Sequence, residues 1–140
     1  MYKLYISPSK NTPEIIFSPE ENIYEINGNS SPEDVRALYY PVIEWFSEYA
    51  TEIKAAQGKQ LLNSPLVFKF DLRYFNSSSA KFIYDIIIEI KGIREAGIPV
   101  SVQWYFDRED YDMMDAGKDI SSIAELDFEF FAKDGDERPA

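Results

Sequence analysis

The sequence predicts an α/β domain in which a mixed sheet carries its helices mainly on one face. Three observations point there. Two short segments of alternating character open the chain, strand-like and helix-like segments then alternate to its end, and the connections between them are short. A repeated strand–helix–strand order with short connections implies right-handed crossovers and a parallel portion of sheet. The two opening strands add an antiparallel edge. At 140 residues the chain can bury one real core. It is expected to form a single domain over residues 1–133, with the acidic stretch "DGDERPA", residues 134–140, as a disordered tail.

The elements follow in order. "KLYIS" and "EIIFSPEENIYEING" read as strands, with breaks at Pro8, Pro13 and Pro19, a turn at "SPEEN", and Gly28 closing the second arm. In "NSSPEDVRALYYPVIEWFSEYATEIKAA", Ser30 or Ser31 is the expected N-cap and Pro32 the first helical residue. Glu33 and Asp34 then fall in the first turn, where the helix dipole favours them. Val35, Leu38, Tyr39, Val42, Ile43, Phe46 and Tyr49 recur at helical spacing, and Pro41 is expected to kink or split that helix. "QGKQLLNSP" is a polar connection. "LVFKFDLRYF" is a strand near residues 66–74 that puts Phe68, Phe70 and Leu72 on one face.

A second helix is expected from about Ser78 to Ala96. Its apolar stripe is Phe82, Ile83, Ile86, Ile87, Ile90 and Ile93, and Gly97 is its C-cap. "IPVSVQWYF" is a further strand. "REDYDMMDAGKDISSIAEL" reads as an acidic helix broken near Gly117, and "DFEFFAK" as the last strand.

Composition narrows the function. Fourteen basic against 25 acidic residues leave a formal net charge of -11. A surface so negative repels phosphate backbones and anionic lipid, which argues against nucleic-acid and membrane-surface roles. The chain has no cysteine and no histidine. That removes disulfides, thiol catalysis, His-based triads and the usual zinc sites. "MYKLYISPSK" lacks the apolar core of a signal peptide, and no apolar run approaches the roughly 18 residues of a membrane span. A cytoplasmic protein without membrane insertion is expected. Aromatics make up 16% of the chain, enough that some are expected on a contact surface rather than in the core.

Catalytic motifs are missing. GxGxxG, GxxxxGK[ST] and GxSxG do not occur. The acidic cluster Asp107, Glu109, Asp110, Asp112 and Asp115 lacks EF-hand spacing and its turn glycine, so it reads as a solvated helix face rather than a metal site. No cofactor or metal is expected.

The three serines of "RYFNSSSAKFIYDIIIEI" lie where a strand hands over to a helix. Ser77 or Ser78 would serve as N-cap, but a cap accounts for one hydroxyl and not three. The carboxyl end of a strand is also where open α/β sheets place functional groups. A phosphate added there would meet unpaired N–H groups and the positive end of a helix dipole, with Lys81 one turn along.

"FDLRYFNSSSAKFIYDII", together with "FSPEENIYEINGNSSPEDVRALYYPVIEWF" and "WYFDREDYDMMDAGKDI", resembles the SiaC family of bacterial regulatory phosphoproteins over about Ile15 to Phe130. The resemblance implies a STAS-like fold and a place in a partner-switching circuit with a serine/threonine kinase and a PP2C-type phosphatase. It implies that the unphosphorylated protein binds a diguanylate cyclase and promotes cyclic di-GMP synthesis. The hydroxyl directly after "YFN", here Ser77, is the implied phosphoacceptor, with Ser78 and Ser79 as alternatives because the family often has threonine at that position. STAS antagonists typically carry Asp before the acceptor and Gly soon after, whereas this chain has Asn76 and Ala80. The expected partner surface comprises Tyr74, Asn76, Ser77, Ser78 and Lys81. Two alternatives are an antagonist acting on another signalling partner, such as an anti-sigma factor, and an enzyme with a carboxylate-based site.

Overall fold

The computed structural model describes residues 1–56 and 65–134; the polar connection over 57–64 and the tail from residue 135 lie outside the described residues. Among the described residues six strands and three helices form one layered unit. The strands are β1 (Leu4–Ile6), β2 (Glu14–Ser18), β3 (Ile23–Ser30), β4 (Leu66–Phe75), β5 (Val100–Asp107) and β6 (Glu129–Lys133). The helices are α1 (Val35–Ala55), α2 (Ser77–Glu95) and α3 (Tyr111–Ala124), each lying between two successive strands of the β3–β6 run. Spatial order equals sequence order, β1-β2-β3-β4-β5-β6. The first three strands pair antiparallel and β3 through β6 pair parallel.

That order explains the one-sided architecture. Each crossover advances one strand in the same direction, so crossovers of constant hand deliver all three helices to the same face. Burial agrees: Leu66, Phe68, Phe70 and Leu72 of β4 and Val102, Trp104 and Phe106 of β5 are buried, while their alternates are only half-covered. On the opposite face Tyr105 stacks on Phe131 at 4.9 Å, and Lys133 bridges from β6 to Asp71 of β4 at 2.9 Å.

Three sequence expectations need correction. α1 begins later than expected: Asp34 is the N-cap, its carboxylate accepting from the Ala37 N–H at 3.1 Å, and Pro32 lies outside the helix. A carboxylate at that position gains from the dipole as well as the hydrogen bond. Ser30 is the last residue of β3 and is buried, so its hydroxyl is committed elsewhere. Pro41 does not split α1, which runs unbroken. Pro41 and Ala37, whose carbonyl loses its partner, both sit on the exposed side, where water can satisfy that oxygen. α3 is also unbroken, because Gly117 lies buried within it against Trp104 rather than ending it. The stripe on α2 is as expected, and Gly97 follows that helix at φ 93, the left-handed conformation of a residue just past a helix end.

The core under α1 is largely aromatic. Phe17, Tyr24, Trp45, Phe46, Tyr49 and Phe68 make a continuous set of ring contacts, and the Tyr24 and Tyr49 hydroxyls meet at 2.7 Å. Burial pushes the Tyr24, Tyr39 and Tyr49 phenols above the ordinary tyrosine range. A raised folded-state value means that the unfolded chain loses protons first. This contribution to stability is therefore complete below about pH 10 and is lost as pH rises through the folded values. Unfolding free energy should fall steadily above about pH 10, with these three phenols ionising only as the domain unfolds. Ultraviolet titration of phenolate beside circular dichroism checks this; all tyrosines ionising while the dichroism stays native would contradict it.

Candidate functional site

The site begins with a bulge. Along β4, strict alternation from Leu66, Phe68, Phe70 and Leu72 would carry Tyr74 into the core. The pairing with β3 shifts instead: Gly28 lies opposite Leu72, and Asn29 lies opposite Tyr74, leaving Arg73 as the extra residue. A bulge of this kind re-aims the side chains beyond it. Tyr74 consequently turns outward and is 54% exposed. Gly28 supplies the other half of the irregularity with φ 110, a conformation that side-chain-bearing residues rarely adopt. It does not close the strand, which continues to Ser30.

β4 runs directly into α2 through Asn76, which is the N-cap in place of the serines expected there. Its side-chain oxygen accepts from the Ser79 N–H at 2.9 Å, and the Ser78 hydroxyl donates to the same oxygen at 3.1 Å. The Asn76 N–H in turn donates to the Ser30 carbonyl at 3.0 Å, tying the cap to the end of β3.

The triplet divides three ways. Ser79 is fully buried and Ser78 is exposed but bonded to the cap. Ser77 is exposed, and its hydroxyl has no hydrogen-bond partner among the described residues. It stands beside the first amides of α2, at the positive end of the helix dipole. Among the described residues no basic side chain hydrogen-bonds it, and Lys81, one turn along, is held by Asp85 at 3.0 Å and lies over the Phe82 ring. A serine that attacks substrate needs an adjacent base. The Ser77 hydroxyl is presented without one, which suits a group that receives chemistry from another protein.

Tyr40 is a further exposed tyrosine near the site, outside the expected partner surface. It lies on α1, 55% exposed, with its ring edge against Phe82 of α2 at 5.9 Å. Its signal was present, since Tyr40 falls outside the apolar periodicity that claims Tyr39. Exposed tyrosines thus stand on both the β4 end and the α1 side of the α2 start. The acidic cluster is not one helix face: Asp107 ends β5, Glu109 precedes α3, Asp110 caps α3 through the Met113 N–H at 3.0 Å, and only Asp112 and Asp115 lie on the helix, both exposed. Among the described residues no three His, Cys, Asp or Glu converge as a metal site.

A one-sided α/β layer with its helices between successive parallel strands defines a STAS-like domain, here with an exposed serine at the start of α2. The chain belongs to the SiaC family: a model described as SiaC family regulatory phosphoprotein matches residues 6–133. An uncharacterised protein of Pseudomonas aeruginosa strain UCBPP-PA14 is 27% identical over 134 residues, covering 96% of this chain and 99% of that protein. The crystal structure of apo-SiaC from Pseudomonas aeruginosa superposes with a TM-score of 0.75 at 26% identity, covering 95% of this chain and 99% of that one. A third similar chain comes from the crystal structure of the diguanylate cyclase SiaD in complex with its activator SiaC, also from Pseudomonas aeruginosa. There the TM-score is 0.78 at 26% identity, with 93% of this chain and 99% of that one covered.

Proposed function

We propose that the unphosphorylated protein binds and activates a diguanylate cyclase, and that phosphorylation of Ser77 by a serine/threonine kinase blocks that binding. A PP2C-type phosphatase reverses the modification. One observation carries the reading: in a chain of a regulatory phosphoprotein family, Ser77 is the serine of the triplet that is both exposed and unbonded. The similar SiaC chain found in complex with a cyclase supports the choice of effector. The protein is a switch with no turnover of its own, working in the cytoplasm; among the described residues no helix is long and apolar enough to cross a membrane.

Kinase, phosphatase and cyclase must all reach one hydroxyl, so their footprints overlap on Tyr74, Asn76, Ser77, Ser78 and Lys81. Incubation with the kinase of its circuit and ATP, followed by tandem mass spectrometry, tests the acceptor. Phosphate on Ser77 is expected; phosphate confined to Ser78 or Ser79 would overturn the assignment. Tyr74 is the expected anchor, because an exposed aromatic beside the modified group is the residue type that carries interface energy. Tyr74→Ala should weaken cyclase binding about tenfold, roughly 1.4 kcal/mol, with an unchanged melting temperature. Calorimetric titration reads this, and unchanged affinity for Tyr74→Ala combined with Lys81→Ala would move the interface elsewhere.

A further inference from the structure

The buried hydroxyls behind the site form a directed chain. The Ser30 hydroxyl donates to the Ser79 hydroxyl at 2.9 Å, and the Ser79 hydroxyl donates to the Ser30 carbonyl at 3.0 Å. Each serine has one proton, so both are spent. The 2.7 Å contact between Tyr39 and the Ser30 hydroxyl must then be donated by the tyrosine. Every donor in the chain is used, and every member sits at 0% exposure.

The chain joins three elements at one point: Tyr39 from α1, Ser30 from the end of β3 and Ser79 from the first turn of α2. The Ser30 carbonyl receives both the Asn76 N–H and the Ser79 hydroxyl. The start of α2 is therefore gripped twice by one residue of β3. Core packing alone does not require this, since an apolar residue at 79 would fill the space without any bond across the junction. Buried polar sets of this kind fix one arrangement only when every member is satisfied.

We propose that Tyr39, Ser30 and Ser79 are positioning residues that select the acceptor, an inference that rests on Ser77 being phosphorylated. By holding the first turn of α2 in one register, they withdraw Ser79 into the core and keep Ser77 outermost for the kinase. The serine triplet is thus one lock, one cap-bound hydroxyl and one acceptor. Ser79 is not a spare acceptor.

Tyr39→Phe is the cleanest probe, because it keeps the ring that stacks on Phe82 at 5.4 Å and removes only the hydroxyl that starts the chain. Ile90→Val, buried in the second half of α2, serves as the structural control. The full-length protein and both variants are incubated with host-cell extract, ATP and Mg²⁺; phosphate is mapped by tandem mass spectrometry, and amide exchange is followed over residues 77–80. Tyr39→Phe should exchange at least fivefold faster at Ser79 and Ala80, whose amides donate to Asn76. Its initial phosphorylation rate at Ser77 should fall about fivefold, with phosphate appearing on Ser78 and Ser79. Ile90→Val should lower the melting temperature without changing site distribution. Phosphate on Ser77 alone, at the unaltered rate in Tyr39→Phe, would overturn the inference while leaving Ser77 as acceptor. Absence of phosphate from Ser77 in the unaltered protein would overturn the acceptor assignment itself, and this inference with it.

Discussion

Phosphorylation of Ser77 is expected to lower affinity for the cyclase by two to three orders of magnitude while leaving the domain folded. The modification adds roughly -1.5 to -2 charges at neutral pH. At the start of α2 that charge faces the positive end of the dipole and should stabilise the free protein by about 0.3–1 kcal/mol. Melting the domain is therefore the wrong mechanism. The cost falls on the complex, where burying the charge without a matched cation amounts to several kcal/mol. Lys81 is the nearest candidate cation along the helix, but it is occupied by Asp85, and the chain as a whole already carries -11. At about 1.4 kcal/mol per decade, several kcal/mol is a loss of two or three decades. Ser77→Asp should reproduce this in part, having less charge and fewer acceptor oxygens, and Ser77→Ala should bind as the unmodified protein does. Affinity and melting temperature measured together on both forms check the claim. Equal affinity, or a large drop in melting temperature on phosphorylation, would contradict it.

The second large effect concerns stability. Gly117→Ala should cost about 2–3 kcal/mol, against the usual direction of a glycine-to-alanine change inside a helix. Propensity alone would favour alanine by about 1 kcal/mol. Here an added Cβ would stand 2.5 Å from Nε1 and 2.6 Å from Cδ1 of Trp104. That indole cannot retreat: its N–H donates to the Met113 carbonyl at 3.0 Å, and its ring stacks on Phe70 and Phe128 and meets Phe75 edge-on. The glycine thus lets α3 lie directly on β5. The melting temperature of Gly117→Ala should fall by about 10 °C, at a few degrees per kcal/mol for a domain of this size. An equal or higher melting temperature would refute this account of the contact.

Gly117 also shows where sequence reasoning stops. A glycine inside a helical pattern predicts a break from local propensity, and only the position of Trp104 reveals that it marks a close approach. Periodicity, by contrast, reported the fold well. The stripe from Phe82 to Ile93 and the alternation Phe68, Phe70, Leu72 are consequences of burial, and burial is what the sheet and helices impose. The N-caps differ from expectation for a different reason: Ser30 belongs to β3 and α1 starts only after Asp34, whereas Ser77 and Ser78 already lie inside α2, which starts directly after Asn76 at the end of β4. The site was legible as a region and not as an arrangement. "YFNSSS" points to the junction, and Ser79, three and four residues before Phe82 and Ile83, falls on the buried stripe of α2 while Ser77 does not. What no local pattern reveals is that Ser79 is bonded to Ser30, with Tyr39 behind it, from distant parts of the chain. The bulge that frees Tyr74 is equally non-local, being a mismatch between β3 and β4.

The central claim is that the unmodified protein activates a diguanylate cyclase and that phosphate on Ser77 removes the activation. The most direct measurement is the rate of cyclic di-GMP synthesis from GTP by the cyclase of the same cell. That rate is followed as unmodified, Ser77-phosphorylated and phosphatase-treated protein are titrated in turn. The unmodified protein should raise the rate to a plateau, the phosphorylated form should leave it at the basal value, and phosphatase treatment should restore the plateau. Equal stimulation by the phosphorylated form, or no stimulation by the unmodified one, would contradict the account.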